Sequence, residues 1–290
     1  MKCWVVASGG LLGFDLGLLL SAKGIEWVGT SHSELDITSE SAIEAFVEKE
    51  RPTHIFNMAA YTDVNRAETE GKEEAYATNR DGPIHIAHVA KKTSARFIHV
   101  STDYVFDGKK ETDYTEDDPT GAVNEYGRSK LEGERGMFAA YPAALSVRTA
   151  SLYGLHKDGH VAAMVKALQT QEEAFHITDQ ISTPTYTPDL AEALLILSGE
   201  KGIVHFVNGG WCSRFELLQE VLSLCHTWRV PVRAKRLVPK TQREVSRGAT
   251  RPVRTVLSTR KYQSIAGKVP RHWKEALAEY FSHKADVWKT

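Results

Sequence analysis

The chain has 290 residues, with 36 Lys plus Arg against 37 Asp plus Glu and 42% hydrophobic residues. That is enough apolar material for a core without staples, and too evenly charged for an electrostatic footprint on nucleic acid or an anionic membrane. Three cysteines (Cys3, Cys212, Cys225) without a CxxC pair disfavour a disulfide scaffold or a thiolate metal site, and suit a reducing cytoplasm.

The N-terminus enters a strand-like run almost at once, with no basic leader. The most apolar stretch, Leu11 to Leu20, is short for a membrane span and carries Asp15. Up to residue 150, strand-like runs (Cys3–Ala7, Glu26–Thr30, His54–Ala60, Arg96–Ser101, Ala144–Thr149) alternate with helix-like ones (Leu11–Lys23, Ser39–Glu50, Lys72–Lys92, Glu125–Tyr141). Strands that are apolar nearly throughout suit a parallel sheet covered on both faces. The alternation predicts an α/β fold with a doubly wound, Rossmann-type parallel sheet.

Further on, Gly159–Thr170 and Asp189–Leu197 read as helices, Ala174–Thr178 and Ile203–Val207 as strands, the second able to rejoin the sheet. Ser213–Trp228 has Phe215, Leu218, Val221, Leu222 and Cys225 at helical spacing. Arg229–Thr255 reads as irregular and basic, followed by two terminal helices. The expected division is a dinucleotide-binding domain of residues 1–154 plus about 187–210, interleaved with a smaller substrate domain of 155–186 plus 211–290.

After the first strand comes Ala7-Ser8-Gly9-Gly10-Leu11-Leu12-Gly13. Gly10 and Gly13 fill two places of a dinucleotide fingerprint, where glycine lets a pyrophosphate approach the backbone and helix pack on strand; Ala7 stands at the first place. The end of the second strand, Gly29 to Ser33, offers no carboxylate for ribose hydroxyls, and with His32 it tilts the reading toward NADP(H) over NAD(H). Asp36-Ile37 suits the adenine amino group or simply a helix entry.

Ser101-Thr102-Asp103-Tyr104 follows the fourth strand, and Tyr126 and Lys130 lie one turn apart on the next helix. A lysine cation beside a tyrosine favours phenolate, bringing a pKa of about 10 toward neutral pH and making a usable proton donor. The Thr102 hydroxyl is placed to hold the same carbonyl oxygen. His85 and His88 share a helix face without an obvious third ligand, so no metal is expected.

These parts resemble the extended short-chain dehydrogenase/reductase family, and within it the dTDP-4-dehydrorhamnose reductases. The resemblance runs through Leu35–Thr38, Asn57–Thr62, Ser101–Gly108, Asn124–Lys130, Arg148-Thr149, Asp179-Gln180 with Pro184-Thr185, and Arg251-Pro252. It implies NAD(P)H-dependent reduction of the C4 keto group of a dTDP-linked 4-dehydro-6-deoxyhexose. Its catalytic set is Thr102, Tyr126 and Lys130. Cofactor contacts fall on Gly10, Leu11, Leu12, His32, Asp36, Ile37, Ala59, Ala60 and Tyr61, together with Tyr126 and Lys130. Asp103, Tyr104, Ser151 and Arg251 fall on the substrate side, and Asn79 matches an asparagine that the family keeps. A nucleotide sugar is the expected partner, with neither nucleic acid nor membrane; the reading leaves a homodimer open. Three departures are Ala7 for glycine, Ser151 for a substrate-side tryptophan and Ser182 for glycine. They keep two other readings open: a non-catalytic regulatory subunit similar to the methionine adenosyltransferase beta subunit, and a reductase or epimerase of another nucleotide sugar.

Overall fold

A computed structural model describes residues 1–245 and 248–289. The first half builds β1 (Lys2–Val6), α1 (Leu11–Ala22), β2 (Glu26–Thr30), α2 (Glu40–Glu50), β3 (His54–Asn57), α3 (Lys72–Tyr76), α4 (Gly82–Thr93), β4 (Arg96–Thr102), α5 (Glu125–Ala140) and β5 (Leu145–Thr149). The second half adds β6 (Leu152–Tyr153), α6 (His160–Thr170), β7 (Glu173–Ile177), β8 (Ile181–Ser182), β9 (Thr185–Tyr186), α7 (Thr187–Ile196), β10 (Gly202–His205), β11 (Cys212–Ser213), α8 (Arg214–Thr227), β12 (Arg236–Lys240), α9 (Gln242–Val245), α10 (Arg260–Ala266) and α11 (Trp273–Lys284).

Six strands form one parallel sheet in the order β10-β5-β4-β3-β1-β2. The predicted Ile203–Val207 strand does rejoin it, as β10 beside β5. Alternate residues of β1 serve opposite faces. Cys3 and Val5 pack with Leu12, Leu16 and Leu190 from α1 and α7, while Trp4 and Val6 pack with Ile43, Ile86 and Met137 from α2, α4 and α5. Burial on both faces explains why the strand reads as a continuous apolar run. The chain leaves β1 for β2 and then crosses to β3 on the other side, so a crevice opens at the carboxyl ends of β1 and β3. A separate cluster joins Val161, Leu168, Leu218, Val221, Trp273 and Phe281 from α6, α8 and α11. Among the described residues no helix is long and apolar enough to cross a membrane.

Three expectations need correction. The predicted Lys72–Lys92 helix is broken: α3 and α4 are joined by a π-turn over Ala77–Asp81. Pro83 has no N–H to donate to the carbonyl four residues earlier, that of Asn79, and the ladder widens there. On α8 the buried face is Leu217, Leu218, Val221, Leu224 and Cys225, with Phe215 and Leu222 at its margins. Arg229–Thr255 is not wholly irregular: β12 pairs in parallel with β7, and α9 follows. Pro239 within β12 and its mixed polar pattern hid this strand, which has a single partner, as tolerance of proline requires. Residues 246 and 247 of that segment lie outside the described residues.

Candidate active site

The first turn after β1 is shaped by close approach. A Cβ at Gly13 would collide with the Ala7 carbonyl, so only glycine lets α1 dock there. Ala7 itself adopts φ 60°, the left-handed region where a methyl group is strained, which accounts for the glycine preferred at that place. Gly10 is the N-cap of α1 and supplies no side-chain cap. The first-turn N–H groups and the positive end of the helix dipole are thereby left for an anion.

Two cavities meet at this turn, both lined by Ala7 and Ala60. The larger, about 590 Å³, takes in Gly10, Leu11, Leu12, Thr102, Asp103, Tyr126, Lys130 and Ser151. The smaller, about 200 Å³, is lined by Ser31, His32, Asp36, Ile37, Ala59 and Tyr61 among others. Of the expected site residues, only Tyr104 and Arg251 line neither cavity. The Ser101 and Thr149 hydroxyls and the Tyr61 phenol are buried and unpartnered at these walls. Orphaned donors, a glycine turn and an uncapped helix end fit an elongated, phosphate-bearing dinucleotide.

At the far end, β4 runs into Thr102, whose register partner on β5 is Thr149. The Thr102 hydroxyl accepts from the Tyr104 N–H (3.2 Å) and donates to Asp103 Oδ1 (3.1 Å). Asn124 caps α5 by accepting from the Gly127 N–H (2.7 Å), which sets Tyr126 in the first turn with Lys130 one turn deeper. Lys130 is buried, and its Nζ donates to the Val100 carbonyl at 2.7 Å and lies 3.1 Å from His99 Nε2. Burial lowers the Lys130 pKa to about 8, against an opposing pull from Glu134. Tyr126 differs from the expectation. Burial raises its pKa, a hydrogen bond with Thr102 lowers it, and Asp103 and Tyr104 raise it further; the Lys130 charge is not among the causes. The Lys130 amine is turned toward the sheet, to Val100 and His99, so the acidifying effect expected from the spacing is missing.

Asp103 is also buried, and burial lifts its pKa to about 6 although Thr255 and Thr102 hydrogen-bond its carboxylate. Tyr104 stands edge-on to Tyr126, ring centroids 5.7 Å apart, and accepts from Gln180 Nε2 at 2.8 Å. Arg251 is directed to the Ala249 carbonyl (3.1 Å) and Asn65 Oδ1 (3.0 Å). Asn79 is fully buried and braces the site: its Oδ1 accepts from the Tyr61 N–H, and its Nδ2 donates to the Tyr61 carbonyl and Ser129 Oγ.

Three features escaped sequence reading. Lys157 lines the main cavity, carried by a loop whose His156 stacks on Phe14 of α1 at 3.8 Å. The charge of Arg214, at the start of α8, bears on both Asp103 and Tyr104. Glu34, one residue beyond the stretch searched for a carboxylate, folds back to accept from the Ser31 N–H and hydroxyl, each at 2.7 Å. The Ser-x-x-Glu spacing of Ser31 and Glu34, shared by Ser213 and Glu216, is the linear signal that could have found it.

The RmlD substrate binding domain model matches residues 1–285. A dTDP-4-dehydrorhamnose reductase from Mycolicibacterium smegmatis is 38% identical over 281 residues, covering 95% of this chain and 83% of that protein. A dTDP-4-keto-6-deoxy-D-glucose reductase from Streptomyces niveus is 35% identical, covering 96% of each chain. Among solved structures, the dTDP-4-dehydrorhamnose reductase of Bacillus anthracis in complex with NADP superposes with a TM-score of 0.91 at 28% identity, covering 97% of this chain and 99% of that one.

Proposed function

This chain belongs to the RmlD substrate binding domain family, and from that premise we propose that it reduces the C4 carbonyl of a dTDP-linked 4-dehydro-6-deoxyhexose, with dTDP-4-dehydro-L-rhamnose as the leading substrate. The chain is an oxidoreductase of nucleotide-sugar biosynthesis that uses a nicotinamide cofactor. One observation carries the reading: a single crevice has an uncapped helix N-terminus at one end and Thr102, Tyr126 and Lys130 at the other.

Reduced nicotinamide, when bound, supplies the hydride. Tyr126 gives its phenolic proton to the sugar's carbonyl oxygen, and the Thr102 hydroxyl holds that oxygen. Lys130 sits below Tyr126 and completes the polar floor. Leu11 and Leu12 offer backbone N–H groups to the pyrophosphate, and Gly10, whose own N–H donates to the Ala7 carbonyl (2.9 Å), lets it approach the backbone, with Lys157 adding positive charge over the same helix end. His32, Asp36, Ile37, Ala59, Ala60 and Tyr61 form the adenosine side, while Asp103, Tyr104 and Ser151 face the sugar. Arg251 takes the sugar's diphosphate only if its guanidinium leaves Asn65. The dinucleotide role goes to residues 1–154 plus about 187–210, the substrate role to the remainder.

His32 and the Ser31 hydroxyl favour NADP(H) over NAD(H); Glu34 beside Ser31 opposes it. The ratio of kcat/KM for NADPH over NADH measures this preference, and a ratio below one overturns it. For the activity itself, NADPH oxidation should follow addition of dTDP-4-dehydro-L-rhamnose. Faster turnover of another dTDP-4-keto sugar would keep the chemistry and change the substrate.

A further inference from the structure

We propose that His99 is a positioning residue for the reducing site, fixing the Lys130 amine through a hydrogen-bond chain that starts at the backbone of Ala59. The role in reduction rests on the reading above; the chain itself stands on geometry.

Asn57 and His99 are register partners on β3 and β4, and both are fully buried. The Ala59 N–H donates to Asn57 Oδ1 at 3.0 Å. A backbone N–H can only donate, so this bond fixes the amide and turns Asn57 Nδ2 toward His99 Nδ1, 3.2 Å away. An amide N–H also only donates, which makes Nδ1 the acceptor. Burial, with Lys130 nearby, holds the His99 pKa well below its ordinary value, so the ring is neutral. A neutral imidazole that accepts at Nδ1 carries its proton on Nε2.

That N–H points at Lys130 Nζ, 3.1 Å away, and is satisfied only when the amine accepts. The neutral amine does both jobs: its lone pair accepts from His99, and one of its hydrogens goes to the Val100 carbonyl. The tautomer therefore selects against the ammonium form. The other groups around Nζ are few. Glu134 favours the ammonium, yet its carboxylate is engaged by Arg148 (2.7 Å) and Ser146 (3.0 Å). The Tyr126 phenol lies one turn above, and Asp103 acts on that phenol rather than on Lys130. Asn57, the last residue of β3 and one residue before Met58 of the cavity wall, thus sets a proton inventory at a site whose walls it does not line.

The test uses the full chain without ligand. Long-range ¹H–¹⁵N correlation of the imidazoles should show His99 as the neutral Nε2–H tautomer; an Nδ1–H ring or an imidazolium overturns the proposal. The ¹³Cε shift of Lys130, followed against pH, should titrate near 8 and move up by a unit or more in Asn57→Asp. An aspartate at that position accepts from both Ala59 and His99, forces the proton to Nδ1 and makes Nε2 an acceptor for the ammonium. A folded Asn57→Asp chain with an unmoved Lys130 titration contradicts the proposal, as a merely structural asparagine would leave that midpoint in place. If no keto sugar is turned over but both spectroscopic results hold, the reductase reading fails while the chain of contacts stands.

Discussion

The Ser151 and Ser182 hydroxyls lie 3.0 Å apart and join the end of β5 to the short β8 strand across the cavity wall. Both residues are departures from the reductase pattern, and they meet. Ser151 holds φ 48°, a conformation that costs a non-glycine residue about 1–2 kcal/mol, so the contact helps to secure a strained backbone. Ser151→Ala and Ser182→Ala should each destabilise by about 1 kcal/mol. In a double-mutant cycle the pair should cost about 0.5–1 kcal/mol less than the sum, because the second substitution no longer leaves a hydroxyl unpaired. Denaturant unfolding measures this; strict additivity contradicts the coupling. The resemblance implies a tryptophan at the position of Ser151. Ser151→Trp should therefore change the ranking of keto-sugar substrates more than the rate with the best of them.

In the proposed reaction Tyr126 carries the proton step. Tyr126→Phe keeps the ring that meets Tyr104 and removes only the hydroxyl, so folding and cofactor affinity should stay near wild type. The chemical rate should fall by about 10²–10⁴-fold, the usual worth of a positioned general acid. Single-turnover kinetics with saturating cofactor checks this, and a loss below tenfold argues against Tyr126 as the donor.

Asp103 links the site to stability. Its folded pKa, about 6, lies above the ordinary 3.8, since burial disfavours the charge. A group raised in this way supports the fold fully below about 3.8 and loses that contribution as pH rises through about 6. Asp103→Asn removes the loss. The variant should gain on the order of 1–3 kcal/mol relative to wild type on going from pH 4 to pH 8. Paired unfolding curves across that range decide it; a constant difference contradicts the buried-charge account.

Lys157 reaches the cavity through the loop held on α1 by His156 and Phe14. Because the side chain is exposed, its effect on a phosphate is modest and screened by salt. Lys157→Ala should raise the KM for the cofactor about 3–10-fold at low salt, with kcat within twofold, and the difference should shrink at 0.5 M salt. Lys157→Arg should restore most of the affinity. Equal KM values for wild type and Lys157→Ala at low salt would remove this residue from the phosphate site.

Much of the architecture was written in local pattern. Continuous apolar runs marked the central strands, and the predicted Ser39–Glu50 helix opens at Ser39, which caps α2 by accepting from the Ala42 N–H. The glycine turn and the Tyr126–Lys130 spacing gathered at one crevice because the six-stranded parallel sheet brings the carboxyl ends of its strands to the same side. What failed to show depended on contacts distant in sequence. Asn79 bonds Tyr61 and Ser129, fifty residues away from the latter, and nothing in the neighbouring residues specifies that pairing. The direction of the Lys130 amine was likewise set by Val100 and His99 on β4. Spacing on one helix places two side chains on a face but says nothing of what the sheet offers them. Strand β12 was missed since its Arg236-Leu237-Val238-Pro239-Lys240 run has no clean alternation.

The most direct measurement is the fate of deuterium from reduced cofactor carrying deuterium at both C4 positions of the dihydronicotinamide, read by NMR of the sugar product. Reduction at the carbonyl beside Tyr126 predicts one deuterium per molecule at sugar C4, with one equivalent of cofactor oxidised. A sugar altered in configuration without net cofactor consumption, or a product without deuterium at C4, would contradict it.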